Sequence, residues 1–73
     1  MRWIPLQDID TREWKLCVLY NDCMSYEVTN IESERVERIL ACAAYMNDGI
    51  TEGIDSTTLA RLSELKNKYG QQT

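Results

Sequence analysis

Apolar positions along this chain change spacing near residue 30. Over residues 13–29 they can be read at every second residue. Trp14, Leu16, Val18 and Tyr20 share one face of an extended segment, and Met24, Tyr26 and Val28 share one face of the next, with Ser25, Glu27 and Thr29 between them. The alternation predicts a β-hairpin over residues 13–29. A three-residue loop of Asn21, Asp22 and Cys23 sets Tyr20 against Met24, Val18 against Tyr26 and Leu16 against Val28, apolar against apolar. A two-residue loop sets Val18 against Ser25 and turns one strand over. The three-residue loop is therefore expected, with Cys23 in the place such loops usually give to glycine. A helix competes for the same residues. Asp10 with Glu13 resembles a capping box, and Leu16, Leu19, Tyr20, Cys23 and Tyr26 fall near helical spacing.

After residue 30 the spacing is helical. Ile31, Val36, Ile39, Leu40, Ala43 and Met46 form a stripe, Thr29 or Asn30 can cap it, and Glu32 stands where a capping box from Thr29 needs it. A helix is predicted over residues 32–46, stopped by Asn47, Asp48 and Gly49. A second helix is predicted over 56–69, capped by Asp55 or Ser56. Leu59, Leu62, Leu65 and Tyr69 line one narrow side of it, Glu64 can pair with Lys68, and residues 70–73 form a frayed tail. The opening Met1-Arg2-Trp3-Ile4-Pro5-Leu6 is apolar but holds the only proline, which pushes Ile4 toward extended geometry. Residues 1–12 read as an extended arm whose Trp3, Ile4 and Leu6 either fold over the core or form an exposed hook.

These elements make one small domain over residues 1–73. Its expected class is α+β: an N-terminal arm, a β-hairpin, and two α-helices packed on one face of it, with an all-α three-helix bundle as the alternative. At this size the core alone supplies roughly 3–5 kcal/mol, so marginal stability is expected.

Charge narrows the functional classes. Eight Lys and Arg against twelve Asp and Glu give −4, which disfavours direct duplex binding because phosphate contacts need basic side chains. The acidic residues concentrate in and around the first helix, Glu34 and Glu37 among them, while Arg61, Lys66 and Lys68 make the second helix basic. An acidic face of this kind either faces solvent or meets a basic groove. No apolar stretch approaches the ~18 residues of a membrane span and no signal-peptide pattern opens the chain, so a cytoplasmic protein is expected. Three cysteines, Cys17, Cys23 and Cys42, cannot pair completely within one chain, and reduced thiols are expected.

Candidate chemistry is sparse. The chain has no histidine, the commonest general base and pH switch. Gly49, Gly53 and Gly70 match no phosphate-binding loop, and the cysteine spacing matches neither a redox pair nor a common zinc site. No catalytic residue, metal ligand or cofactor is therefore expected, and a monomer acting by contact with another macromolecule is. Aromatic stacking on bases by Trp3, Trp14, Tyr20 and Tyr26 would need a basic groove, so core packing is the expected role of these rings.

The opening Met1-Arg2-Trp3-Ile4-Pro5, together with the length of 73 residues, resembles the very small bacteriophage proteins that bind host RNA polymerase, inhibiting initiation and promoting antitermination. That resemblance implies a protein that docks on a polymerase subunit in the bacterial host cytoplasm and hinders promoter opening or the RNA hairpin of a terminator. The candidate contact residues are Arg2, Trp3, Ile4 and Leu6 of the arm, the acidic Glu34 and Glu37, and the basic Arg61, Lys66 and Lys68. Two alternatives stand beside it. One is an acidic DNA mimic that inhibits another nucleic-acid-binding protein, such as a defence or repair complex; the other is a small cysteine-based metal or redox module.

Overall fold

Leu16 and Val18, alternate positions of the period-two run, are fully buried, and the segment that carries them is the middle strand of a sheet. A computed structural model of the chain describes residues 1–29, 31, 32, 34 and 36–70. Strands β1 (Arg2–Gln7), β2 (Trp14–Tyr20) and β3 (Cys23–Ser25) form an antiparallel sheet in the order β1-β2-β3. Helices α1 (Val36–Asp48) and α2 (Ser56–Gly70) follow. The predicted α+β class is the one observed, and the competing helix over the hairpin residues is not formed.

The predicted arm is a correction. Residues 2–7 are extended, yet they are a paired strand, running from Arg2 opposite Leu19 to Gln7 opposite Trp14. Two strands alone bury too little to persist, and the arm supplies the third. Its outer edge is closed by a side chain of α1. Asn47 Oδ1 accepts from the Trp3 amide and Asn47 Nδ2 donates to the Trp3 carbonyl, both at 2.8 Å. The same alternation points the backbone nitrogen of Pro5 away from β2, where its missing N–H costs no ladder bond.

The hairpin register is a second correction. Tyr20 pairs with Cys23, Leu19 with Met24 and Val18 with Ser25, so the loop has two residues, Asn21 and Asp22. Both have positive φ, 43° and 69°, as a tight hairpin turn requires at its two central positions, and Asn and Asp tolerate that geometry. The three-residue loop would have asked it of Cys23. Turn chemistry prevails over apolar pairing because Trp3 and Pro5 of β1, opposite Val18 and Leu16, already supply the apolar partners on the core face.

One cluster forms the core. Trp3, Leu16 and Val18 of the sheet meet Ile31, Ile39, Cys42, Ala43 and Met46 from the α1 region and Leu62 and Leu65 of α2. Tyr69 joins them edge-on to Trp3, with ring centroids 5.7 Å apart. α1 begins at Val36, later than the predicted residue 32. Thr29 does not cap it: its side chain is buried and its hydroxyl has no hydrogen-bond partner among the described residues. Asn30, the other predicted cap, lies outside the described residues. Val36 and Leu40, placed in the buried stripe by their spacing, are exposed. At the far end Gly49 takes φ 79° and its amide donates to the Tyr45 carbonyl at 2.9 Å, closing the helix in left-handed geometry. Asp55 caps α2: its carbonyl accepts from the Leu59 amide and its carboxylate from the Thr58 amide. Tyr45 binds the helices together through its hydroxyl, 2.8 Å from Ser63 Oγ. Gly70, predicted as the first residue of the frayed tail, is instead the last residue of α2, and the rest of that tail lies outside the described residues.

Candidate functional site: the helix-free face of the sheet

Residues directly opposite in an antiparallel pair share a face, so the register assigns every side chain to one side. Trp3, Pro5, Leu16 and Val18 face the helices. Arg2, Ile4 and Leu6 of β1, Lys15, Cys17 and Leu19 of β2, and Met24 of β3 face the other way. Both helices contribute to the Trp3 cluster, so among the described residues no helix covers this second face. Met24 on this face is 40% exposed, and Tyr26 and Val28, in the segment after β3, are 68% and 42% exposed.

At one end of this face the β1–β2 turn rises beside residues 26–28, and a groove of about 330 Å³ lies between them. Leu6, Lys15 and Cys17 border it from the sheet, and Ile9, Tyr26 and Val28 also line it. Ile9 is 93% exposed, and the turn that carries it is held firmly. Asp8 Oδ1 accepts from the amides of Asp10 and Thr11 at 2.8 and 3.2 Å, and its other oxygen accepts from Lys15 Nζ at 2.8 Å. The Asp8 backbone also bonds to Glu13 and Arg12, and Gln7 Nε2 donates to the Arg12 carbonyl. The Lys15 hydrogen bond, with help from the Thr11 and Asp10 amides, holds the Asp8 carboxyl down at about 2, and the Asp8 hydrogen bond in turn pushes Lys15 up. Asp8 is thus a structural anion. Asp10 lines the same groove with no hydrogen bond or ion pair to its carboxylate among the described residues.

No protein-family model, curated protein or solved structure matches this chain.

The predicted contact residues divide by parity. Arg2, Ile4 and Leu6 lie on the helix-free face, but Trp3, a predicted contact residue, points the other way and is 2% exposed, in the core role that was the other expectation for the arm. Glu34 and Glu37 are exposed, and Glu37 borders a groove of about 340 Å³ with Arg38, Ala41 and Gly53. Arg38 lies 3.8 Å from Glu32, so a cation interrupts this acidic surface. Lys66 is used within the fold: its Nζ donates to the Tyr45 carbonyl and sits 4.9 Å from the centre of the Tyr45 ring. Lys68 lies 3.7 Å from Glu27 in place of the predicted Glu64. Glu27 is less exposed than Glu64, so its charge is less screened by water, and the hydrogen bond from Tyr69 holds it in place. Arg61 remains exposed beside Glu64 and Lys68 on α2.

The cysteines occupy three separate settings. Cys42 is in the core, Cys17 is buried under the helix-free face, and Cys23 is exposed beside the hairpin turn. Burial pushes the thiols of Cys17 and Cys42 up, away from reactive thiolate. Among the described residues no three Cys, Asp or Glu side chains come together as a metal site, and no helix is long and apolar enough to cross a membrane.

Sequence reasoning misses Ile9, Tyr26 and Val28 as surface residues. Tyr26 and Val28 were assigned inward because the register was shifted by one loop residue. Ile9 carried a signal of its own: it is a lone large aliphatic in Asp8-Ile9-Asp10-Thr11-Arg12, outside every periodic run.

Proposed function

We propose that this chain is a non-enzymatic regulator that acts by docking on a protein partner through the helix-free face of its sheet. The partner implied by the resemblance of its opening residues is a subunit of bacterial RNA polymerase. The observation that supports docking is the exposure of Ile9, Met24, Tyr26 and Val28 on or beside one face. Folding gains nothing from large apolar side chains held in water, whereas association does. The hydrogen-bonded turn around Asp8 adds preorganisation, which removes part of the ordering cost of binding. A chain with no histidine and no phosphate-binding loop fits a protein that works by contact.

The test is capture from bacterial lysate with the chain as bait, beside a Tyr26→Ser, Val28→Ser double variant of unchanged melting temperature. Retention of a large polymerase subunit by the wild type and its loss from the variant is the expected result. Nonspecific carryover alone, or equal capture by both baits, overturns the proposal. A multi-round transcription assay with purified polymerase should show inhibition by the wild type and relief in the variant.

A further inference from the structure

The groove beside Ile9 has a size and a charge that narrow what it can take. We infer that it is a docking slot for a short segment of a protein partner that presents apolar side chains flanked by a lysine or arginine. This inference rests on the reading above that the chain docks on a protein, and it adds where and to what chemistry.

Size comes first. About 330 Å³ is at the lower end of small-molecule pockets, room for a few side chains rather than a large cofactor. The walls are two apolar ridges, Ile9 on the β1–β2 turn and Tyr26 with Val28 on the irregular segment that follows β3. The Ile9 ridge is fixed by the Asp8 hydrogen bonds, so this wall of the slot is in place before anything enters it.

Charge selects among occupants. Of the two aspartates lining the groove, Asp8 is neutralised by Lys15 at 2.8 Å. Asp10 has no ion pair among the described residues, and neither has exposed Glu13 at the end of the same turn. Arg12, also in the turn, does not line the groove. The net field at the slot is therefore that of an uncompensated carboxylate beside apolar walls, which a flanking cation on the incoming segment complements. A second copy of this chain fits less well. A two-fold axis sets like patches against each other and brings Asp10 toward its own equivalent.

Methyl and amide NMR titration of the full chain tests the assignment. The probes are three synthetic peptides of equal length: an amphipathic Leu/Lys peptide, its Leu/Glu counterpart, and a Gly/Lys peptide that keeps the charge without the apolar groups. The Leu/Lys peptide is expected to shift Ile9, Cys17, Tyr26 and Val28 in a saturable manner, with the other two at least tenfold weaker. Ile9→Ser should weaken it about tenfold and Asp10→Asn about threefold, the range of an exposed ion pair, both leaving the melting temperature in place. Equal binding of the Leu/Glu peptide overturns the inference, as do shifts centred on α2. Concentration-dependent shifts of these same residues without peptide overturn it in favour of self-association. A wild-type chain that captures a polymerase subunit yet binds no Leu/Lys peptide sinks the slot and leaves protein docking standing. Peptide binding at the slot without polymerase capture supports the slot and sinks that partner.

Discussion

Replacing Asn47 by alanine isolates the contact that closes the edge of the sheet. Its side chain makes two hydrogen bonds of 2.8 Å to the amide and carbonyl of Trp3, a residue 2% exposed and 44 positions away in sequence. Two hydrogen bonds at about 1 kcal/mol net each give a loss of about 2 kcal/mol. Alanine is the better helix former by up to roughly 0.7 kcal/mol, so the net loss should be about 1.5 kcal/mol. For a domain of this size that is a fall in melting temperature of roughly 6–12 °C, a large part of a stability near 3–5 kcal/mol. Thermal unfolding followed by circular dichroism reads it directly. Asn47→Asp sharpens the test, because a carboxylate can accept from the Trp3 amide but sets an acceptor against the Trp3 carbonyl. When protonated, the new carboxyl can donate to that carbonyl, so its folded pKa should lie above the unfolded value. Its favourable contribution is present below the unfolded value and disappears as pH rises through the folded one. The aspartate variant should therefore be weaker than the alanine variant at neutral pH and recover relative to it in acid. An alanine variant within about 0.5 kcal/mol of wild type, the range of ordinary surface substitutions, refutes the claim that Asn47 secures β1.

Other outcomes follow from the same geometry. Val18→Asp, which puts a charge at a fully buried position of β2, should leave the chain unfolded by circular dichroism, and a cooperative melt would contradict the core assignment. Under native conditions a thiol reagent should modify Cys23 promptly and leave Cys17 and Cys42 untouched, all three reacting after denaturation. The Glu27 hydrogen bond, reinforced by burial, pushes Tyr69 up to about 12. Its contribution to stability is complete below the ordinary tyrosine value of 10.0 and lost as pH rises through about 12, so alkaline unfolding should be less steep in Tyr69→Phe. The Asp8 carboxyl acts in the opposite sense. Its contribution is present above 3.8 and lost as pH falls through about 2, so the melting temperatures of wild type and Asp8→Asn should converge across that window.

How much of this was legible from the chain depends on the range of the interaction. The α2 cap at Asp55 and the left-handed stop at Gly49 are decided within five residues, and both are where the sequence places them. The faces of the sheet depend on a single register, and one loop residue reverses them. Cross-strand apolar matching predicted the wrong register because it compared only β2 with the segment after it. The partner that mattered was β1, whose membership is announced by no local motif and is secured by Asn47 from the end of a helix. Once β1 is in place, the Asn21-Asp22 turn is free to set β3 with Met24 toward the helix-free face, and Tyr26 and Val28 follow onto its groove. The exposed patch is thus a consequence of a long-range contact. Its residues read as core in the sequence because they are apolar and alternate, and the same alternation, shifted by one, places them where a partner can reach them.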